Sequence, residues 1–240
     1  DELRAKIPVV CTAESLGSES RNLRFQCLHG LGHAVLFSLA YRVPLALELC
    51  DVLPDSWSRE SCFGGVFMEN ITGMDRERRM LRTGDPHYPC SVVSPPYRPA
   101  CYLMQTSWML EDGLDTDQVA QVCREAGRYR LSCFRSLGRD ISPRVRESGP
   151  SKPAEFCARL PSDERRECVL GAVYALADHT WDGTYVYPFC AAFSSAPARE
   201  RCFAETHGYL RVQLEQPFEK LAEQCRAYAP KVEECLTLLE

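Results

Sequence analysis

Fourteen cysteines in a nearly regular rhythm constrain this chain more than any other feature of it. They stand at Cys11, Cys27, Cys50, Cys62, Cys90, Cys101, Cys123, Cys133, Cys157, Cys168, Cys190, Cys202, Cys225 and Cys235, alternating a short spacing with a long one. Taken in order as couples they read C-x15-C, C-x11-C, C-x10-C, C-x9-C, C-x10-C, C-x11-C and C-x9-C. The second cysteine of each couple returns after 35, 39, 32, 35, 34 and 33 residues. An internal repeat of about 34 residues, present about seven times, therefore spans the chain.

Other columns repeat with the sulfur. The residue after each second cysteine is apolar: Leu28, Phe63, Tyr102, Phe134, Val169, Phe203 and Leu236. Three positions before it stand Arg24, Arg59, Arg98, Arg130, Arg165 and Arg199, with Val232 the exception. Three positions after it a small residue recurs, as Gly30, Gly65, Ser136 and Gly171. Ser162-Asp163-Glu164 opens a stretch with apolar residues at 169, 172, 173, 176 and 177, a helical period behind an N-cap. Asp115 begins a similar run that ends at Cys123, while Pro54, Pro161 and Pro197 fall in the short segments inside couples. The unit is thus a helix, a short loop and a second helix, with the couple straddling the loop.

One helix pair cannot bury its apolar stripe alone, so the expectation is an all-α, disulfide-stapled α-hairpin repeat solenoid forming one domain over 1–240. Its units fall at about 1–40, 41–74, 75–114, 115–149, 150–183, 184–214 and 215–240. No alternating run is long enough to propose a sheet. In this plan of two cysteines per mid-thirties helix pair, the chain resembles the solenoids of the Sel1-like and tetratricopeptide class. Its couples, however, straddle a loop at x9 to x11, and the Sel1 Leu-Gly...Tyr-Gly pattern is absent.

Two disulfide connectivities fit the rhythm. Pairing within couples gives 11–27, 50–62, 90–101, 123–133, 157–168, 190–202 and 225–235; pairing from one unit to the next would leave Cys11 and Cys235 over, so the first is preferred. An even and high cysteine count points to an oxidising compartment: periplasm, secreted medium or an ectodomain. The first residue is Asp1 rather than Met, which implies processing or trimming. The seventh unit stops five residues after Cys235, so the chain reads as cut there or unusually short, as one domain of a larger protein would be.

A net charge of -5 argues against nucleic acid as a partner. The one basic run, Arg76 to Arg82, reads as a solvated helix face. The best candidate for a membrane helix, Ala34 to Ala40, stops at Tyr41-Arg42 and is far too short to span a membrane.

Against this scaffold one motif stands out, Cys27-Leu28-His29-Gly30-Leu31-Gly32-His33. Gly30 belongs to the small-residue column and is expected to pack one helix on its neighbour. Gly32 is matched only by Gly138, and the positions aligned with His29 and His33 are unrelated residues. Two histidines four apart share a helix face, as ligands of one divalent transition metal would. Glu69 in the next unit, with Asn70 beside it, is the third ligand or a general base; His207, Asp178 and His179 are further candidates. The competing account has each histidine capping a helix or buried with its nitrogens satisfied. HGLGH lacks the glutamate of H-E-x-x-H, and the chain has no C-x-x-C, no C-x-x-C-H, no P-loop and no G-x-S-x-G. Asn70-Ile71-Thr72 is a glycosylation sequon, relevant if the source is eukaryotic. The aromatic stretch Trp181 to Pro188 either plugs a gap between units or forms a recognition ridge.

Two functions follow as expectations. The first is a non-enzymatic extracytoplasmic interaction module that binds a protein or other macromolecular partner on a concave face or loops. The alternative is a metal-binding protein or metal-dependent enzyme built on His29, His33 and Glu69.

Overall fold

A computed structural model describes residues 2–239, and among them the fold is all-helical with no strand. Seven disulfides take up all fourteen cysteines: Cys11–Cys27, Cys50–Cys62, Cys90–Cys101, Cys123–Cys133, Cys157–Cys168, Cys190–Cys202 and Cys225–Cys235. No described helix is long and apolar enough to cross a membrane. The chain divides into two compact units, residues 1–133 and 134–240.

The first unit contains helices α1 (Glu2–Val10), α2 (Ala13–Leu16), α3 (Arg21–Ser38), α4 (Val43–Cys50), α5 (Ser56–Thr72), α6 (Arg98–Met104), α7 (Thr106–Glu111) and α8 (Thr116–Glu125), and the start of α9 (Arg130–Ser148). The second holds the rest of α9, then α10 (Ser151–Ala158), α11 (Ser162–Thr180), α12 (Val186–Ala191), α13 (Ala196–Val212), α14 (Phe218–Tyr228) and α15 (Val232–Thr237). Short polar side chains start several of them. The Ser20 hydroxyl accepts from the Leu23 amide, the Asp55 carboxylate from Ser58, and Asp115 forms a reciprocal capping box with Gln118. Ser162 is not the cap of α11; Pro161 precedes it with no side-chain cap bond, and Ser162 is already helical.

The arginine column has a repeated structural job. Arg59, Arg98, Arg165 and Arg199 each reach back across the disulfide-closed loop to a main-chain carbonyl, those of Leu53, Val93, Leu160 and Phe193 at 2.9–3.1 Å. Each of those carbonyls lies three residues after the first cysteine of its couple. The four acceptor residues also bury their side chains. A charged donor thus satisfies a carbonyl left over where the preceding helix or turn ends, which is worth about 1.5–3 kcal/mol per bond to a charged group. Arg24 does something else: its guanidinium donates to Asp55 and Ser58 at the start of α5.

The third couple departs from the helix–loop–helix plan. Residues 73–94, which precede and include Cys90, form turns instead of a helix. Gly73 and Gly84 weaken any helix there, and Pro86 and Pro89 remove donors while restricting the residues before them. Buried side chains hold this segment in place of helical hydrogen bonds. The Asn70 amide exchanges two bonds with Met80, donating to its carbonyl at 3.1 Å and accepting from its N–H at 2.7 Å. Gln105 donates to the carbonyls of Pro86 and Tyr88 at 3.1 and 2.7 Å. The basic run is therefore not a helix face. The Arg79 side chain is only 7 % exposed, donates to the Ile71 carbonyl and pairs with Glu111 at 3.0 Å.

Two helix crossings are closer than side chains permit. A Cβ on Gly32 of α3 would overlap the Cys62 carbonyl oxygen and stand 2.9 Å from the Cα of Gly65 on α5. A Cβ on Gly65 would in turn overlap the His29 carbonyl. In the second unit Gly138 of α9 meets the Cys168 carbonyl, and Gly171 of α11 meets that of Arg135, in the same way. Gly30 has nothing within 4 Å of its missing Cβ. The packing role expected of Gly30 thus belongs to Gly32, because the crossing lies on the next part of the α3 surface.

Candidate functional site

The α3–α5 crossing carries the histidines. His29 lies one turn before Gly32 and His33 directly after it; Met68 and Glu69 lie one turn beyond Gly65. With no Cβ at the crossing, side chains flanking it on the two helices come within contact distance. The His33 Nδ1 stands 2.9 Å from Glu69 Oε2. Because a carboxylate only accepts, this nitrogen carries the proton, and in the neutral ring Nε2 keeps its lone pair.

The other Glu69 oxygen, Oε1, accepts from the Tyr41 hydroxyl at 2.6 Å. Tyr41 is buried, and that burial, followed by the neighbouring Glu69 carboxylate, raises its pKa above the usual phenol value. Gly73 leaves room for the pair, since a Cβ there would overlap the Tyr41 hydroxyl and stand 2.7 Å from Oε1. Both oxygens of Glu69 are thus engaged within the protein, on His33 and on Tyr41. That geometry suits Glu69 to orienting His33 rather than to acting as the third ligand or base expected for it.

His29 turns elsewhere. Its Nε2 lies 3.5 Å from the Met68 sulfur, its ring meets that of His33 edge to face with centroids 5.1 Å apart, and the Phe25 ring lies tilted against it at 5.7 Å. Both histidines and Met68 are half-buried. Asn70, beside Glu69 in sequence, is only 1 % exposed and turns toward Met80, so neither ligation nor glycosylation finds its amide available in the folded chain. The sequence reading missed Met68 and Tyr41. Met68 aligned with His33 in the neighbouring unit and was the available hint; Tyr41, at the end of an apolar run, offered none.

The further candidates in the second unit each have their own partner. Asp178 accepts from the Tyr209 hydroxyl at 2.7 Å, and burial raises its pKa. His179 meets Arg146 at 2.8 Å. His207 is buried with Nε2 3.6 and 3.5 Å from the sulfurs of Cys225 and Cys235. Those three residues form the one group of His, Cys, Asp or Glu among the described residues with three ligand atoms close enough for one ion. The two sulfurs are joined to each other, so His207 packs against a disulfide.

Burial lowers the His207 pKa from 6.5 to about 4. A folded-state value below the unfolded one means that the unfolded chain takes up the proton first. Stability is then complete above about pH 6.5 and falls by about 3 kcal/mol as pH drops toward 4. Nitrogen-15 NMR of the imidazole should show His207 neutral at pH 5.5; titration near pH 6.5 would remove this source of acid sensitivity.

The chain matches no family model, no curated protein and no solved structure.

Proposed function

We propose that this chain is an extracytoplasmic interaction module: a rigid, disulfide-stapled solenoid of about seven helix pairs that binds a protein or other macromolecular partner. The supporting observation is Trp181, a large aromatic 54 % exposed and in the left-handed backbone region at φ 60°. A bulky residue occupies that region only when its surroundings impose it. Here Gln216 donates to the Trp181 carbonyl at 2.6 Å, Gln224 accepts from the Gly183 amide at 2.9 Å, and the two glutamines bond each other at 2.7 Å. Buried Tyr187 fills the space beneath the same segment. An aromatic held outward on a braced turn gives up little freedom on binding, the condition under which such residues dominate an interface. Fourteen cysteines in seven disulfides, with no free thiol, support the oxidising location.

Cross-linking of the wild-type protein in its native extract should capture a stoichiometric partner that Trp181→Ala fails to retain. Recovery of free monomer alone, or equal capture by both proteins, would sink the proposal.

A second reading has its own support in the His33–Glu69 contact. A carboxylate on Nδ1 is the outer-sphere arrangement of metal-ligating histidines, and it leaves Nε2 to bind. On this reading His29 and His33 take a metal ion, and Glu69 and Tyr41 hold His33 in place.

A further inference from the structure

We infer that the α3–α5 crossing is a soft-metal site that selects a cuprous ion, with Met68 Sδ as a ligand beside His29 Nε2 and His33 Nε2. The inference rests on the metal-binding reading above and specifies its ion and its third ligand.

Geometry supports this choice. Two ligand atoms on one tetrahedral ion, nitrogen at about 2.0 Å and sulfur at about 2.3 Å, stand about 3.5 Å apart. His29 Nε2 and Met68 Sδ are 3.5 Å apart. Two imidazoles sharing an ion through their outer nitrogens have ring centres about 5 Å apart by the same arithmetic; those of His29 and His33 are 5.1 Å apart. The glycine crossing fixes all three, because Met68 sits one turn from Gly65 and the histidines flank Gly32.

Chemistry decides the ion. Every thiol of the chain is consumed in a disulfide, so a thioether is the remaining soft donor. Thioether with imidazole suits monovalent copper, whereas hard divalent ions prefer carboxylate. The carboxylate that would complete a harder site, Glu69, has one oxygen on His33 and the other on Tyr41. Glu69 is therefore a positioning residue: it fixes the tautomer and the ring of His33, and its charge offsets that of the ion. The half-burial of the cluster shields a copper ion from bulk water while leaving His33 open for entry, at 30 % side-chain exposure.

The test uses the full chain with its disulfides intact, verified by thiol titration after exposure to ascorbate. Cu(I) generated by ascorbate without oxygen is titrated against a chromophoric chelator, Zn(II) is titrated in parallel, and the copper edge is examined by X-ray absorption. The expected result is one equivalent of Cu(I), a sulfur scatterer at about 2.3 Å, and loss of that scatterer in Met68→Leu with affinity reduced at least about tenfold. Leucine conserves volume, and thermal unfolding checks that the variant is folded. Glu69→Gln should weaken Cu(I) while keeping the sulfur scatterer. If Zn(II) binds more tightly than Cu(I), or Met68→Leu binds copper as the wild type does, the soft-site inference falls and the metal reading survives. If neither metal reaches one equivalent above a His29→Ala/His33→Ala control, both fall.

Discussion

Gly65→Ala is expected to lower the unfolding free energy by about 3 kcal/mol or more, at the upper end of overpacking costs. For a chain of this size that is roughly a 6–12 °C drop in melting temperature. The added methyl would occupy the place of the His29 carbonyl oxygen, and its neighbours are backbone rather than flexible side chains. The helices can relieve the overlap only by separating, which strips contacts along both. Gly171→Ala should cost a similar amount, because its Cβ would meet the Arg135 carbonyl in the same manner. Gly30→Ala supplies the contrast: with nothing within 4 Å it should gain about 0.5–1 kcal/mol from helix propensity. Thermal unfolding of the three variants checks the argument, and a Gly65→Ala protein melting within a degree of wild type would refute it. Separation of α3 from α5 would also draw Met68 and Glu69 away from the histidines, so this variant should weaken any metal binding along with stability.

Removing the Cys50–Cys62 bridge with Cys50→Ala/Cys62→Ala should cost about 2–5 kcal/mol. The bridge ties the last residue of α4 to the second turn of α5 across a sequence separation of 12. Both cysteines are fully buried, so the double substitution leaves small cavities as well as a longer unfolded reach. Hydrogen exchange should accelerate most between Leu53 and Ser58, where the Arg59 clamp on the Leu53 carbonyl and the Asp55 cap then act alone. Unchanged exchange there would mean that clamp and cap already hold the loop without the sulfur.

Much of the helical order can be read from the chain because its signals are local. Asp115 and Gln118 sit at capping spacing, and the apolar period after Ser162 runs the length of α11. Residues 73–94 resisted such reading for a physical reason: their order comes from Asn70 and Gln105, side chains supplied by other segments, and from Arg79 reaching out to Ile71 and Glu111. The arginine column was visible as a column, but its meaning was not, since its acceptors are main-chain carbonyls that leave no mark in residue types. Gly30 and Gly32 illustrate a finer limit. Periodicity puts both on α3, and only the direction in which α5 crosses decides which of them is pressed. At the candidate site the histidines and Glu69 announced themselves by chemistry, whereas Met68 was overlooked because methionine on a helix usually signals core.

The disulfide map also bears on how such a chain reaches its native state. Fourteen thiols can pair in on the order of 10⁵ ways, yet each native bond joins cysteines that are consecutive in sequence. Closing a loop of 10–16 residues costs less entropy than any longer closure, so the nearest available thiol is also the correct one. Oxidation that follows the chain from its N-terminus as it is made would bring each right partner into reach before any wrong one, so the spacing itself favours the native pairing.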